Sequence, residues 1–148
     1  MNSSDSSKPP SADPPHNDIA AWFIKAHRDI RVGFLALQDA PPVPDMASYH
    51  AHSATEKALK GFLASHGLSF HKTRNVVAMG QACASIDATL GEICSRAKEL
   101  ANYAEAHLPA DKPDPSPAEA QNALILACKI FDEVLSRMPA EVQARVLH

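Results

Sequence analysis

Tyr49-His50-Ala51-His52-Ser53-Ala54-Thr55-Glu56-Lys57-Ala58-Leu59-Lys60 is the stretch on which the fold turns. Ala51, Ala54 and Ala58, continued by Phe62, recur at steps of three and four, the spacing that keeps one side of an α-helix apolar. The spacing predicts a helix from about Asp45 to His66, ended by Gly67 in a left-handed turn. Its small inward residues allow a neighbouring helix to approach closely. On the other side of this helix His52, Glu56 and Lys60 stand four apart and form a polar stripe flanked by Tyr49 and Ser53.

Toward the N-terminus, Ile19, Phe23, Ala26, Ile30, Phe34 and Leu37 repeat the same spacing and predict a first helix from about Asn17 to Asp39, with Asn17 as its cap. Pro41-Pro42-Val43-Pro44 separates the two, because proline lacks an amide donor and restricts the residue before it. Toward the C-terminus, Thr73 is placed to cap a third helix with Val76, Met79, Cys83 and Ile86 inward. Asp87 caps a fourth, about Ala88 to His107, with Leu90, Ile93, Ala97, Leu100 and Ala104 inward. Leu108-Pro109 stops it. Ser116-Pro117-Ala118-Glu119 has the residues of a capping box with proline at the first helical position. The fifth helix that follows carries Ala120, Leu124, Ala127, Phe131, Val134 and Met138 on one face, and the segment after Pro139 has room for a last turn or two.

The expected fold class is therefore all-α, an up-and-down bundle of four to five helices spanning residues 17–138. Residues 1–16, rich in Ser, Pro and Asp, are expected to be a disordered tail, and 139–148 a C-terminal extension. Aromatic residues make up only 5% of the chain, which disfavours a β-sandwich. With 148 residues there is material for one core. Charged residues or histidines interrupt every apolar run short of the ~20 residues a membrane span needs. No membrane association is expected, and the location should be cytoplasmic. Cys83, Cys94 and Cys128 form no Cys-x-x-Cys pair, so buried thiols are expected rather than disulfides or zinc ligands. The 14 basic and 17 acidic residues give no global attraction to nucleic acid, so any such binding must be local.

Three groups of residues carry potential chemistry. The stripe His52, Glu56 and Lys60 either holds a ligand or is a solvated face stabilised by the Glu56–Lys60 pair. Lys72 and Arg74 flank the start of the third helix, where free amides and the helix dipole favour an anion. His50 and His52, two apart, point about 200° from one another around a helix and make a poor metal chelate. No metal site and no cofactor are expected. Trp22 and Phe70 are expected in the core or at a dimer interface rather than as platforms for stacked bases.

The stretch from Tyr49 to Lys60 resembles the second helix of the HEPN family, which reads roughly aromatic-His-Ala-Gln-Gln-Ala-x-Glu-Lys-Ala-Leu-Lys-Ala. Trp22 with Asp29-Ile30, Lys72-Thr73-Arg74-Asn75 where the family usually has Lys-Thr-His-Asp, and His107-Leu108-Pro109 where it often has Arg-Tyr-Pro extend the resemblance over about Asn17 to Met138. It implies a homodimer that binds a nucleotide or RNA phosphate and is often encoded beside a minimal nucleotidyltransferase as a toxin–antitoxin-like pair. It shifts weight toward function for Glu56, Lys57 and Lys60, and the expected phosphate-binding set is His52, Glu56, Lys57, Lys60, Lys72, Arg74 and His107.

The ribonucleases of the family carry Arg followed by His after four to six residues, and no arginine of this chain has a histidine at that spacing. No catalytic residue is assigned. The alternatives are a metal-independent ribonuclease toxin, with His107 or His71 as general base and Arg74 stabilising the phosphorane, and a purely structural helical adaptor. Arg74 and His107 look like an exchange of the family's usual His and Arg. They are therefore expected to share one end of the bundle and to bind phosphate more tightly as pH falls from 8 to 6.

Overall fold

A computed structural model of the chain describes residues 18–70, 72–104 and 113–147. It is an all-helical bundle with helices α1 (Ile19–Gln38), α2 (Pro44–Ser65), α3 (Val76–Ile86), α4 (Gly91–Ser95), α5 (Pro117–Leu135) and α6 (Ala140–Val146). Two 3₁₀ segments, Ala88–Leu90 and Arg96–Tyr103, flank α4. The expected N-terminal tail and the Asn17 cap lie outside the described residues. Asp18 takes the capping role by accepting from the Ala21 amide at 3.2 Å.

α2 is the central element, packed between α1 and α5 with α3 across it. Its expected inward residues Ala51, Ala54, Ala58 and Phe62 are all buried, and α1 contributes Phe23, Ala26 and Ile30 to the same core. Close approach of α1 and α2 depends on Gly61, where a Cβ would meet Phe23 Cε2 at 2.6 Å. Gly67 ends α2 at φ 79, the left-handed conformation expected of it.

α3 begins one step later than expected. Asn75, rather than Thr73, caps it by accepting from the Ala78 amide at 3.0 Å, while Thr73 Oγ1 accepts from the Asn75 amide at 3.2 Å. Val76, Met79 and Cys83 face the core, but Ile86 is exposed because it is the final residue of the helix, where the chain turns away at Asp87.

The expected long fourth helix is broken. Only Gly91–Ser95 is α-helical, and the following eight residues are 3₁₀. Cys94, Ala97, Leu100 and Tyr103 stand strictly three apart, the period of a 3₁₀-helix, in which such residues stack on one face. The first three are buried and Tyr103 is half-buried, whereas Ile93, an expected inward residue, is only partly covered.

The capping box at α5 is formed: Ser116 Oγ accepts from the Glu119 amide at 3.0 Å and Glu119 Oε1 accepts from the Ser116 amide at 2.8 Å. The five expected inward residues of α5, Ala120, Leu124, Ala127, Phe131 and Val134, are buried, and so is Met138, which lies in the turn just beyond its end. The segment after Pro139 forms α6, which returns to pack on α1, with Arg145 Nη1 3.3 Å from Asp18 Oδ1. No described helix is long and apolar enough to cross a membrane.

Candidate functional site

At 100° per residue, His52, Glu56, Tyr49, Lys60, Ser53, Lys57 and His50 fill an arc of about 160° on α2. A polar arc of that width belongs on a solvent-facing helix. Here it is covered: His52 is 1% exposed, Lys60 4% and Glu56 9%. Neither the solvated-face expectation nor an open binding stripe describes these three residues. They form a buried ionic cluster.

Glu56 is its centre. Lys60 Nζ donates to Glu56 Oε2 at 2.8 Å, one helical turn along, and Arg74 Nε donates to Glu56 Oε1 at 3.2 Å from the segment before α3. His52 Nδ1 stands 3.9 Å from the same Oε1. Trp22 of α1 roofs the cluster, with Lys60 Nζ 5.7 Å from the ring centroid. Trp22 is thus buried inside the chain and unavailable to a dimer interface, which removes one ground for expecting a homodimer.

A second cluster lies beside the first, on the α1 side of α2. Asp29 Oδ2 accepts from Lys57 Nζ and from Ser53 Oγ, each at 2.9 Å, and Lys57 Nζ also donates to Ser53 Oγ at 2.6 Å. His50 Nδ1 is 2.9 Å from Asp29 Oδ1 and donates there, since an ionised carboxylate only accepts. Burial pushes the Asp29 carboxyl up, but the hydrogen bonds from His50, Lys57 and Ser53 and the Lys57 charge outweigh it, leaving the pKa below its ordinary value. His50 and His52 therefore serve different carboxylates and do not converge.

The structure sorts the expected set clearly. His52, Glu56, Lys60 and Arg74 come together, and Lys57 joins the adjacent Asp29 cluster. Lys72 is exposed and forms no ion pair among the described residues. His107 lies outside the described residues, as does His71, so the expected pairing of Arg74 with His107 has no geometry to report. Asp29, His50 and Ser53 were not in the expected set. The sequence signal for them was the i, i+3, i+7 spacing of His50, Ser53 and Lys57, but their shared partner sits on another helix.

Arg74 is the accessible member. Its side chain is 47% exposed, and its guanidinium carbon lies 5.8 Å from the Tyr49 ring centroid. Burial opposes its charge, but the Glu56 carboxylate more than compensates and raises its pKa. With Nε held by Glu56 in this conformation, the terminal amino groups of the guanidinium remain as further donors.

A family model for the HEPN domain matches residues 19–137. The chain belongs to the HEPN family. The match takes in all of the described cluster, on α1, α2 and the segment before α3. No curated protein matches this HEPN chain. Its fold is similar to the crystal structure of TT1696 from Thermus thermophilus, with a TM-score of 0.70 and 24% identity over 82% of this chain and 99% of that one. At that identity the likeness concerns the fold alone.

Proposed function

We propose that this HEPN protein binds the phosphate of a nucleotide or RNA at the rim of the Glu56 cluster, and works as a dimer with a nucleotidyltransferase partner in a toxin–antitoxin-like system. One observation carries the binding reading. A bundle of this size has placed Glu56, Lys60 and Asp29 with Lys57 against its central helix, where apolar residues of similar volume would serve stability as well or better. Such a network fixes Arg74 at the surface with an ordered cation layer behind it. An incoming phosphate would meet a guanidinium already oriented by Glu56 and Tyr49, which lowers the ordering cost of binding.

The ribonuclease alternative gains nothing from this geometry. Its named general bases, His71 and His107, lie outside the described residues, and the Glu56 carboxylate tempers the field of Arg74 toward a phosphorane as it does toward a bound phosphate.

The test is titration of AMP and of a short single-stranded RNA against the full chain and its Arg74→Glu variant. Loss of one charge-assisted contact and its replacement by repulsion should weaken binding by about tenfold or more. Equal affinity of the two proteins would overturn the site. Light scattering tests the dimer, co-purification with the product of an adjoining nucleotidyltransferase gene tests the partner, and intact RNA after prolonged incubation is the expected outcome of a cleavage assay.

A further inference from the structure

A second concentration of positive charge lies away from the Glu56 cluster. α6 returns along α1 and the two enclose a groove of about 410 Å³. Arg28 and Arg31 of α1 and Arg145 of α6 line it together with His27, and Ile24 and Val146 supply apolar surface between them.

The charge balance of this groove sets it apart. Of the six arginines in the chain, Arg74, Arg96 and Arg137 each bind a glutamate, at 3.2, 3.0 and 2.6 Å respectively. Arg28 and Arg31 form no ion pair among the described residues. They stand at i and i+3, with Cβ atoms about 5–6 Å apart, where like charges repel. Packing α6 brings Arg145 to the same groove and adds to that repulsion, relieved in part by Asp18. That carboxylate also caps α1. Two further acids belong to the surroundings: Glu141, one turn before Arg145 on α6, and Asp132 of α5, whose carboxyl feels the charge of His27. A chain of net charge -3 has thus gathered three guanidiniums around one concavity.

We propose that the groove between α1 and α6 is a separate anion site that takes a compact polyphosphate, either the tail of a nucleoside triphosphate or an inorganic polyphosphate. Three forked donors lining one groove match a chain of linked phosphates, each able to accept a bidentate pair. A single extended RNA strand fits less well, because no Phe, Tyr or Trp lines the groove to stack successive bases. The apolar patch of Ile24 and Val146 gives a nucleoside a place to lie, and the two sources of polyphosphate differ in whether that patch is used.

The experiment is calorimetric titration of the full chain with inorganic tripolyphosphate, carried out in the Arg74→Glu background so that failure of the Glu56 site leaves the readout unaffected. One tripolyphosphate per chain is expected, with affinity falling as salt rises. Arg28→Glu with Arg31→Glu should weaken it by about a hundredfold, and Arg28→Gln with Arg31→Gln by about tenfold, with unchanged helicity by circular dichroism. ATP binding more tightly than tripolyphosphate identifies the nucleotide as ligand, and equal affinities identify inorganic polyphosphate. No tripolyphosphate binding, binding indifferent to these substitutions, or a short RNA that outcompetes tripolyphosphate through the same arginines would overturn the proposal.

Discussion

The two cationic regions of this HEPN chain handle charge in opposite ways. Around α2, Lys57, Lys60 and Arg74 are held by Asp29 and Glu56 at 2.8 to 3.2 Å. Between α1 and α6, Arg28 and Arg31 face solvent and form no ion pair among the described residues. For Lys60 and Lys57 the difference follows from burial, whereas Arg74, 47% exposed, pairs with Glu56 at the rim. A cation removed from water needs a counter-charge within the fold, because its desolvation cost is several kcal/mol. An exposed one keeps its hydration and remains available to an external anion. The first region should therefore dominate stability and the second should leave it untouched.

Breaking the buried side of that contrast gives the largest expected effect. Glu56→Ala removes the carboxylate that Lys60 and Arg74 share, and should lower the unfolding free energy by about 3–5 kcal/mol, measured by urea denaturation. Arg28→Ala in the groove should change it by less than about 0.5 kcal/mol. Equal losses from the two substitutions would erase the distinction.

Asp29→Asn should be the next largest, near ~2 kcal/mol at neutral pH, because Lys57 and His50 lose their acceptor charge while the amide keeps the size of the side chain. Its pH dependence sharpens the prediction. The Asp29 pKa is lowered in the folded chain, so its ionised form contributes stability above the unfolded-state value, and that contribution is lost as pH falls through the folded-state value. The stability gap between the native chain and the Asp29→Asn variant should close as pH drops below about 4. A gap constant from neutral to acid pH would show that shape, not charge, holds α1 to α2 here.

The groove gives smaller energies and a cleaner readout. Arg28→Gln with Arg31→Gln should cost about 1.4 kcal/mol of tripolyphosphate affinity, one tenfold step, with an unchanged urea midpoint. The smallest effect is expected from Asp18→Asn. Asparagine caps a helix as well as aspartate does, so stability should hold, while Arg145, freed of its 3.3 Å carboxylate contact, should bind tripolyphosphate a few-fold more tightly. Weaker binding in this variant would mean that Asp18 positions Arg145 rather than competing for it.

Much of the scaffold is legible from residue spacing. The stripes of α1, α2 and α5, the Gly67 stop and the capping box at Ser116 and Glu119 all express rules that act within a few residues, so the sequence by itself determined them. Pooling steps of three and four makes the stretch from Ala88 onward look like one α-helix. The strict three-residue run from Cys94 to Tyr103 is the sign of its 3₁₀ form. Ile86 and Thr73 miss their expected roles by a turn or less, at helix ends where neighbouring side chains compete for the same amides.

What only the tertiary structure decided is the environment of the charges. His52, Glu56 and Lys60 spell a polar stripe whether it meets water or protein, since spacing fixes which residues share a face but not what covers that face. Trp22 and Arg74 cover it, from α1 and from the segment before α3, and Asp29 reaches Lys57 across 28 positions of sequence. Arg145 comes to the groove of Arg28 and Arg31 only because α6 folds back on α1. Pairings at such separations depend on where whole helices pack, and the energy that places the helices resides in the shared apolar core rather than in the charges themselves.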